Sequence, residues 1–265
     1  MRAPLVKAVW LMARKLMFCG VSALAMASAP LAQAQESKPG GFSLGLGVAW
    51  SPSPYRSYDN KAWPLPMASY EGKRFFLRGP SFGARLFQGG NNGLSVVLSP
   101  IGNRFRAEDT HDPRLRRLED RDLSAQLGLQ WLTHGDWGRL TVAAQREVTG
   151  HGGGHVFDAN YAYPMPFGRS VVLIPMVGAA YTNRKLNDYY YGISRKEALR
   201  SGLPAYRSDW ATAPYAGATA MIRLGERWSV LASFRYSRLP DAVSDSPMVD
   251  ADSTLAYSAA LMYRF

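Results

Sequence analysis

Cysteine is nearly missing from this chain: 265 residues hold one, Cys19. It falls in a stretch that reads as an export leader. Arg2, Lys7, Arg14 and Lys15 form a basic head, Leu16 to Ala27 is an apolar run too short to span a bilayer, and Ala32-Gln33-Ala34 is an A-x-A cleavage site. Residues 1–34 are therefore expected to be removed. Met17 and Phe18 ahead of Cys19 do not suit lipoprotein processing. Residues 35–265 are then one domain without a thiol, which excludes disulfides, cysteine nucleophiles and cysteine-ligated zinc.

Long hydrophobic runs are absent too. After the leader, nothing approaches the roughly 18 continuous apolar residues of a membrane helix. The longest candidate, Val171 to Tyr181, holds Pro175. The formal charge is +11, of which four positives lie in the leader, leaving +7 with no Lys/Arg block. An exported, diffusely basic chain is not a nucleic-acid binder; an anionic lipid surface or an acidic polymer suits it better. Histidine is scarce, at four. Two of them frame His151-Gly-Gly-Gly-His155, where three glycines disfavour the helix an H-x₃-H metal pair needs. HGGG also occurs in lipase oxyanion loops, but no G-x-S-x-G elbow accompanies it. The segment reads as an external loop. No catalytic residue, metal site or cofactor is expected, and the chain is read as a non-enzyme.

What is abundant is alternation. In Ser253 to Phe265, Leu255, Tyr257, Ala259, Leu261, Tyr263 and Phe265 share one face, while Thr254, Ser258 and Arg264 share the other. Tyr263 and Phe265 read as the C-terminal assembly signal of an outer-membrane barrel, set in its aromatic girdle. Phe42 to Trp50, Leu123 to Trp131 and the strand from Trp228 to Ser237 alternate in the same way. With 14 tyrosines, 7 tryptophans and no spanning helix, the fold class is all-β: a transmembrane antiparallel up-and-down barrel of about twelve strands, with ten if 66–78 is one strand. Strand parity puts 51–63, 102–122, 149–155, 182–210 and 239–252 outside the cell. The short turns near residues 72, 91, 135, 166 and 225 fall in the periplasm. One connection breaks the pattern: Gly79-Pro80 is short although its parity is external. Inward arginines are expected at 139, 223, 235 and 264, pairing with acids such as Glu147 to fill a narrow lumen. The charged stretch 102–122 reads as a solvated loop, with an amphipathic helix as the alternative.

The segment 182–210 has local order of its own. Tyr189-Tyr190-Tyr191-Gly192-Ile193-Ser194 leads into Arg195-Lys196-Glu197-Ala198-Leu199, where Ser194 and Glu197 form an S-x-x-E capping box and Gly202 can end the helix; Pro204-Ala205-Tyr206 follows. This YYYGIS…KEAL…GLPAY run resembles the signature of the MipA/OmpV family, the MltA-interacting proteins. SYEGKRFFLRG at 69–79 and the terminal YRF are similar to the family as well. The resemblance implies a Gram-negative outer-membrane location. It also implies a scaffold that links a lytic murein transglycosylase to a bifunctional penicillin-binding protein in peptidoglycan assembly. Other members are described as porin-like or linked to envelope stress and antibiotic susceptibility, so a small-solute channel is the alternative. The family defines no catalytic residues. Partner contact is expected through the periplasmic turns near Glu71, Asn91, Asp136, Phe167 and Glu226 or through the polar lead 35–41. The loop Tyr189 to Tyr206 is expected to fold inward over the mouth, or else to pack on neighbouring loops and lipopolysaccharide.

Overall fold

A computed structural model describes residues 41–60, 62–101 and 104–265. The expected leader and nearly all of the polar lead lie outside them. The strands are β1 (Phe42–Trp50), β2 (Trp63–Glu71), β3 (Phe75–Arg78), β4 (Ser81–Gly89), β5 (Asn92–Ile101), β6 (Ser124–Gly135) and β7 (Gly138–Glu147), followed by β8 (His155–Ala162), β9 (Met165–Phe167), β10 (Val171–Thr182), β11 (Ala211–Leu224), β12 (Trp228–Arg238) and β13 (Ser253–Arg264). Each pairs antiparallel with the next, except that β8 and the short β9 both pair with β10. Pro164 breaks that stave, and the Tyr163 amide bonds the Pro175 carbonyl (3.0 Å) across the break. Counting β8 and β9 as one stave gives twelve. β13 pairs with β1 from Ser43↔Arg264 to Trp50↔Tyr257, which closes the barrel.

Closure follows from the alternation. Leu46 on β1 is 74% exposed and Val48 55%, whereas Ser43 and Ala49, of the opposite parity, are buried. Leu127, Leu129 and Trp131 on β6 point out, as do Phe234 and Tyr236 on β12 and Tyr257 and Leu261 on β13. With no water in the bilayer core, a sheet is stable there only when its edges are joined. Two aromatic girdles bound the apolar band. Trp50 stacks on Tyr257 (5.8 Å) at the outer end. At the inner end, Tyr263 meets Trp228 and Phe265 edge-on (4.9 Å each), and the Phe265 amide bonds the Phe42 carbonyl. The protein is therefore expected to migrate faster on a gel unheated than boiled. Deleting Phe265 should lower the folded fraction, because it removes a backbone bond and the ring contacts with Tyr263 and Phe42 (5.7 Å), worth about 0.5–1.5 kcal/mol each.

Inside the barrel the charges are not arranged as the sequence suggests. Arg139, Arg223 and Arg264 have inward parity but sit at the periplasmic rim, and the Arg264 guanidinium bonds the Glu226 carbonyl. Of these four only Arg235 reaches the interior, where its guanidinium lies 3.5 Å above the Tyr215 ring and the Tyr215 hydroxyl donates to Asp158 (3.0 Å). Glu147 pairs with none of these arginines; its carboxylate accepts from the Gly153 amide (2.8 Å) and from Thr149. The buried ion cluster is instead Glu71 with Arg78 and Arg85, both guanidiniums also lying over the Phe76 ring. Beside it, Leu65, Met67, Ile174, Met176, Leu231 and Met262 form an apolar plug across the middle and lower lumen.

Candidate functional site

The extracellular segments are not solvated loops. Tyr55, Phe105, Leu115, Leu118, Tyr190, Tyr191, Ile193, Leu203, Leu239, Met248 and Val249 bury their side chains in one core above the barrel, joined by Val156 from β8. The described part of the charged stretch, residues 104–122, is neither a helix nor a free loop. It contains two single 3₁₀ turns, Ala107–Asp109 and Leu115–Arg117, and it feeds Leu115, Leu118 and Arg121 into the cap. The segment 239–252 adds a short helix, α3 (Asp241–Ser244), and the buried Met248.

The tyrosine-rich signature lies at the centre. Asn183 caps a helix, α1 (Arg184–Tyr191), by accepting from the Leu186 amide (3.3 Å). Tyr189 accepts from the Asp122 amide (2.9 Å) and stacks on His151. Tyr190 is 3% exposed, and its hydroxyl lies 2.8 Å from Ser124 Oγ. Burial pushes its phenol well above the ordinary range. The Tyr191 carbonyl accepts from the Ser246 hydroxyl (2.6 Å), and the Tyr55 hydroxyl donates to the Tyr190 carbonyl (3.2 Å). Gly192 is required by close approach: a Cβ there would lie 2.3 Å from the Asp188 carbonyl oxygen.

The capping box forms as the spacing predicts. Ser194 caps α2 (Arg195–Ser201), its hydroxyl accepting from the Glu197 amide (3.3 Å) while the Glu197 carboxylate accepts from the Ser194 amide (2.9 Å). Gly202 ends the helix at φ +74°. The same carboxylate accepts from the buried Arg121 guanidinium (2.8 Å) and the Glu119 amide (3.1 Å). Burial would raise the Glu197 pKa. The Ser194 amide, Arg121 and the Glu119 amide outweigh that and hold it at about 2. Tyr206 pairs its backbone with Ile193 in a two-residue bridge and donates its hydroxyl to the Ala242 carbonyl (3.2 Å); Pro204 is exposed. The segment therefore both covers the mouth and packs on its neighbours.

Under this roof lies a cavity of about 270 Å³. Leu186, Asn187, Tyr190 and Tyr191 form its ceiling with Leu239 and Val243, and Gln126, Gln130, Gln145, Asp158 and Arg235 line its walls. His151 Nδ1 lies 3.3 Å from Ser124 Oγ, a pair the sequence did not reveal because His151 sits in a loop and not on a strand. Among the described residues no carboxylate bonds the other ring nitrogen, and the Tyr190 hydroxyl already engages Ser124. No cluster of metal-ligating side chains occurs among the described residues.

The periplasmic end is short-turned and basic. Lys73, Arg74, Arg169 and Arg227 project from the turns and Arg139, Arg223 and Arg264 from strand ends, opposed by Asp136 and Glu226. Asn91 lies in a turn, Phe167 is 54% exposed on β9, and Asp136 and Glu226 are exposed, all available for contact. Glu71 is not: it faces the lumen at 5% exposure, bound to Arg78 and Arg85.

Relatives match nearly the whole of this architecture. The chain is 35% identical over 224 residues to YiaT of Escherichia coli (strain K12), a protein named as an outer membrane protein, covering 84% of this chain and 91% of YiaT. It is 34% identical over 253 residues to MltA-interacting protein of the same organism, covering 95% and 99%. It is 23% identical over 231 residues to outer membrane protein OmpV of Vibrio cholerae serotype O1, covering 85% and 87%. The family model for MltA-interacting protein MipA matches residues 44–265, from the first strand through the aromatic inner girdle. The chain, a closed twelve-stave outer-membrane barrel, belongs to the MltA-interacting protein MipA family.

Proposed function

We propose that this barrel is a docking platform that holds a lytic murein transglycosylase at the inner face of the outer membrane and, through it, a bifunctional penicillin-binding protein. It does so without catalysis of its own. The observation that supports this reading best is the 34% identity, spanning 99% of its length, to a protein named for interacting with MltA. The basic periplasmic rim gives the reading a physical surface. Each turn offers little area, so a stable contact must use several at once. A rim dominated by arginine suits an acidic face on the partner, which would speed encounter and fix register. The outward apolar band meets membrane lipid, and the exposed outer face of the cap meets lipopolysaccharide.

Reversing two turn charges together, Arg74→Glu and Arg227→Glu, is expected to cut capture of the transglycosylase by about tenfold. Leu199→Glu on the cap, where Leu199 is 89% exposed, should leave it unchanged. Capture that survives the periplasmic reversals but fails with the cap change would reverse the assignment of faces.

A further inference from the structure

We propose that the capped cavity is a binding site for a neutral single-chain amphiphile, which enters sideways from the outer leaflet through a gap in the barrel wall between β2 and β5. The gap starts at the short external connection Gly79-Pro80. β3 has four residues, and it pairs with β2 only from Ser69 to Glu71. β4 pairs with β5 only as far as Leu98. Above the hairpin, Trp63 to Met67 of β2 are paired on the β1 side alone, and Ser99 to Ile101 of β5 on the β6 side alone. Among the described residues no ladder joins β2 to β5. Five such residues on β2, Trp63 to Met67, correspond to an opening about 16 Å long at about 3.3 Å per residue. It lies within the apolar band, because its neighbours across the β1 ladder are Leu46 (opposite Pro66) and Val48 (opposite Pro64).

An open rim in hydrocarbon is costly when it presents unpaired amides. This rim lowers that cost by removing the donors and leaving only carbonyls at its proline positions. The Ala68 carbonyl accepts from the Gly79 amide, so the polar groups of Ala68 face β3, and Pro64 and Pro66 share its parity. Their missing donors therefore lie on the open side. On β5, Pro100 pairs with Ala125, whose carbonyl is turned to the Val148 amide and so away from β5. Pro100 then also turns its nitrogen to the gap. Proline on both rims prevents a strand of another copy from completing the sheet and keeps the opening free.

The gap leads to the cavity. Arg78 and Ser81 at the hairpin tip, with Ser99, Pro100 and Ile101 on the β5 rim, line the cavity wall. Pro100 faces outward by parity with Leu98, so it can line an internal cavity only where that cavity reaches past the strand edge. The two other exits are obstructed: Tyr190 and Tyr191 roof the cavity, and the methionine-rich plug fills the lumen below. The volume lies just under the roughly 300 Å³ at which small-ligand sites begin. Its chemistry fits a neutral head. Three glutamines offer donors and acceptors without charge, Arg235 is countered by Asp158, and Gln126 Oε1 is buried without a hydrogen-bond partner. An alcohol or amide head would supply the missing donor while Val97, Ala143, Val156 and Ala180 receive the chain.

The test uses the thiol-free barrel with one introduced cysteine, Thr141→Cys on the cavity wall, in native outer-membrane vesicles. N-octylmaleimide, which is neutral and partitions into the bilayer, should modify it about tenfold faster than a charged, water-soluble maleimide. It should also react faster than at Ser258→Cys, a lumenal position outside the cavity. Ser99→Trp, which fills the inner side of the gap, should slow the octyl reagent by a similar factor, and Leu127→Trp on the outer wall should not. Gln145→Cys carries the same comparison if Thr141→Cys does not reach the heat-modifiable folded form. Equal rates for the two reagents, no effect of Ser99→Trp, or an unreactive cavity thiol would each overturn the proposal.

Discussion

Replacing residues 187–206 with a short Gly/Ser linker is expected to leave the barrel closed and its ion conductance low, while opening the cavity to water from outside. The segment supplies Tyr190 and Tyr191 to the ceiling, and it holds the neighbouring stretch around Glu119 and Arg121 through Glu197. Without it the roof is lost, but the lumen below stays filled by Met67, Met176, Leu231 and Met262. That plug is tight: a Cβ on Gly45 would lie 2.3 Å from Met262 Sδ. A charged thiol reagent added outside should therefore label Gln145→Cys rapidly only in the linker variant. Conductance in planar bilayers should rise only when Leu231→Ala and Met262→Ala are added to it. Large steps from the linker variant alone, in a correctly folded barrel, would show that the plug does not seal.

Glu197→Ala is expected to be the most damaging single change in the cap. Its carboxylate accepts from the Arg121 guanidinium, the Glu119 and Ser194 amides and the Ser194 hydroxyl, and it is 2% exposed. Removing it leaves Arg121 buried opposite no charge, a loss of about 3–5 kcal/mol for a buried pair. The loss is local, so the cap should become protease-sensitive while the barrel keeps its heat-modifiable mobility. The same group gives the cap an acid limit. Its pKa is held below the ordinary 4.5, at about 2, so its stabilisation is complete above about pH 4.5 and disappears as the pH falls through about 2. Protease protection measured against pH should fall in that window in the native protein. In Glu197→Gln it should be weaker throughout and flat across the window.

The barrel was legible in the sequence where one face meets lipid and the other meets small polar groups. β1, β6, β12 and β13 each write that contrast as a period of two. β10 does not, because its inward Ile174 and Met176 belong to the apolar plug and leave both faces alike. The twelve-stave count survived the Pro164 break because ladder hydrogen bonding resumes on either side of it. The capping box was legible because it is local, four residues from Ser194 to Glu197. The cap core was not. Tyr55, Phe105, Tyr190 and Met248 come from four loops and meet without any spacing rule, so Pro/Ser/Tyr-rich and charged stretches read as solvated. Helix α1 was hidden for a related reason, since the triple tyrosine has poor intrinsic helix propensity and is held by burial instead. The lumenal arginines were misassigned because parity gives the face of a residue but not its depth. Arg139, Arg223 and Arg264 have the right face at the wrong end. Arg78 and Arg85 reach Glu71 only through the short β3 hairpin, whose length no periodicity reports.

The central claim is that a murein transglycosylase docks on the periplasmic rim, and site-specific photocrosslinking in intact envelopes tests it most directly. A photoreactive side chain placed at Arg74, Asp136 or Arg227 should capture the transglycosylase, and the same group at Leu199 on the cap should not. Capture from Leu199 with none from the three rim positions, or no capture of any murein enzyme from a correctly folded barrel, would contradict the account.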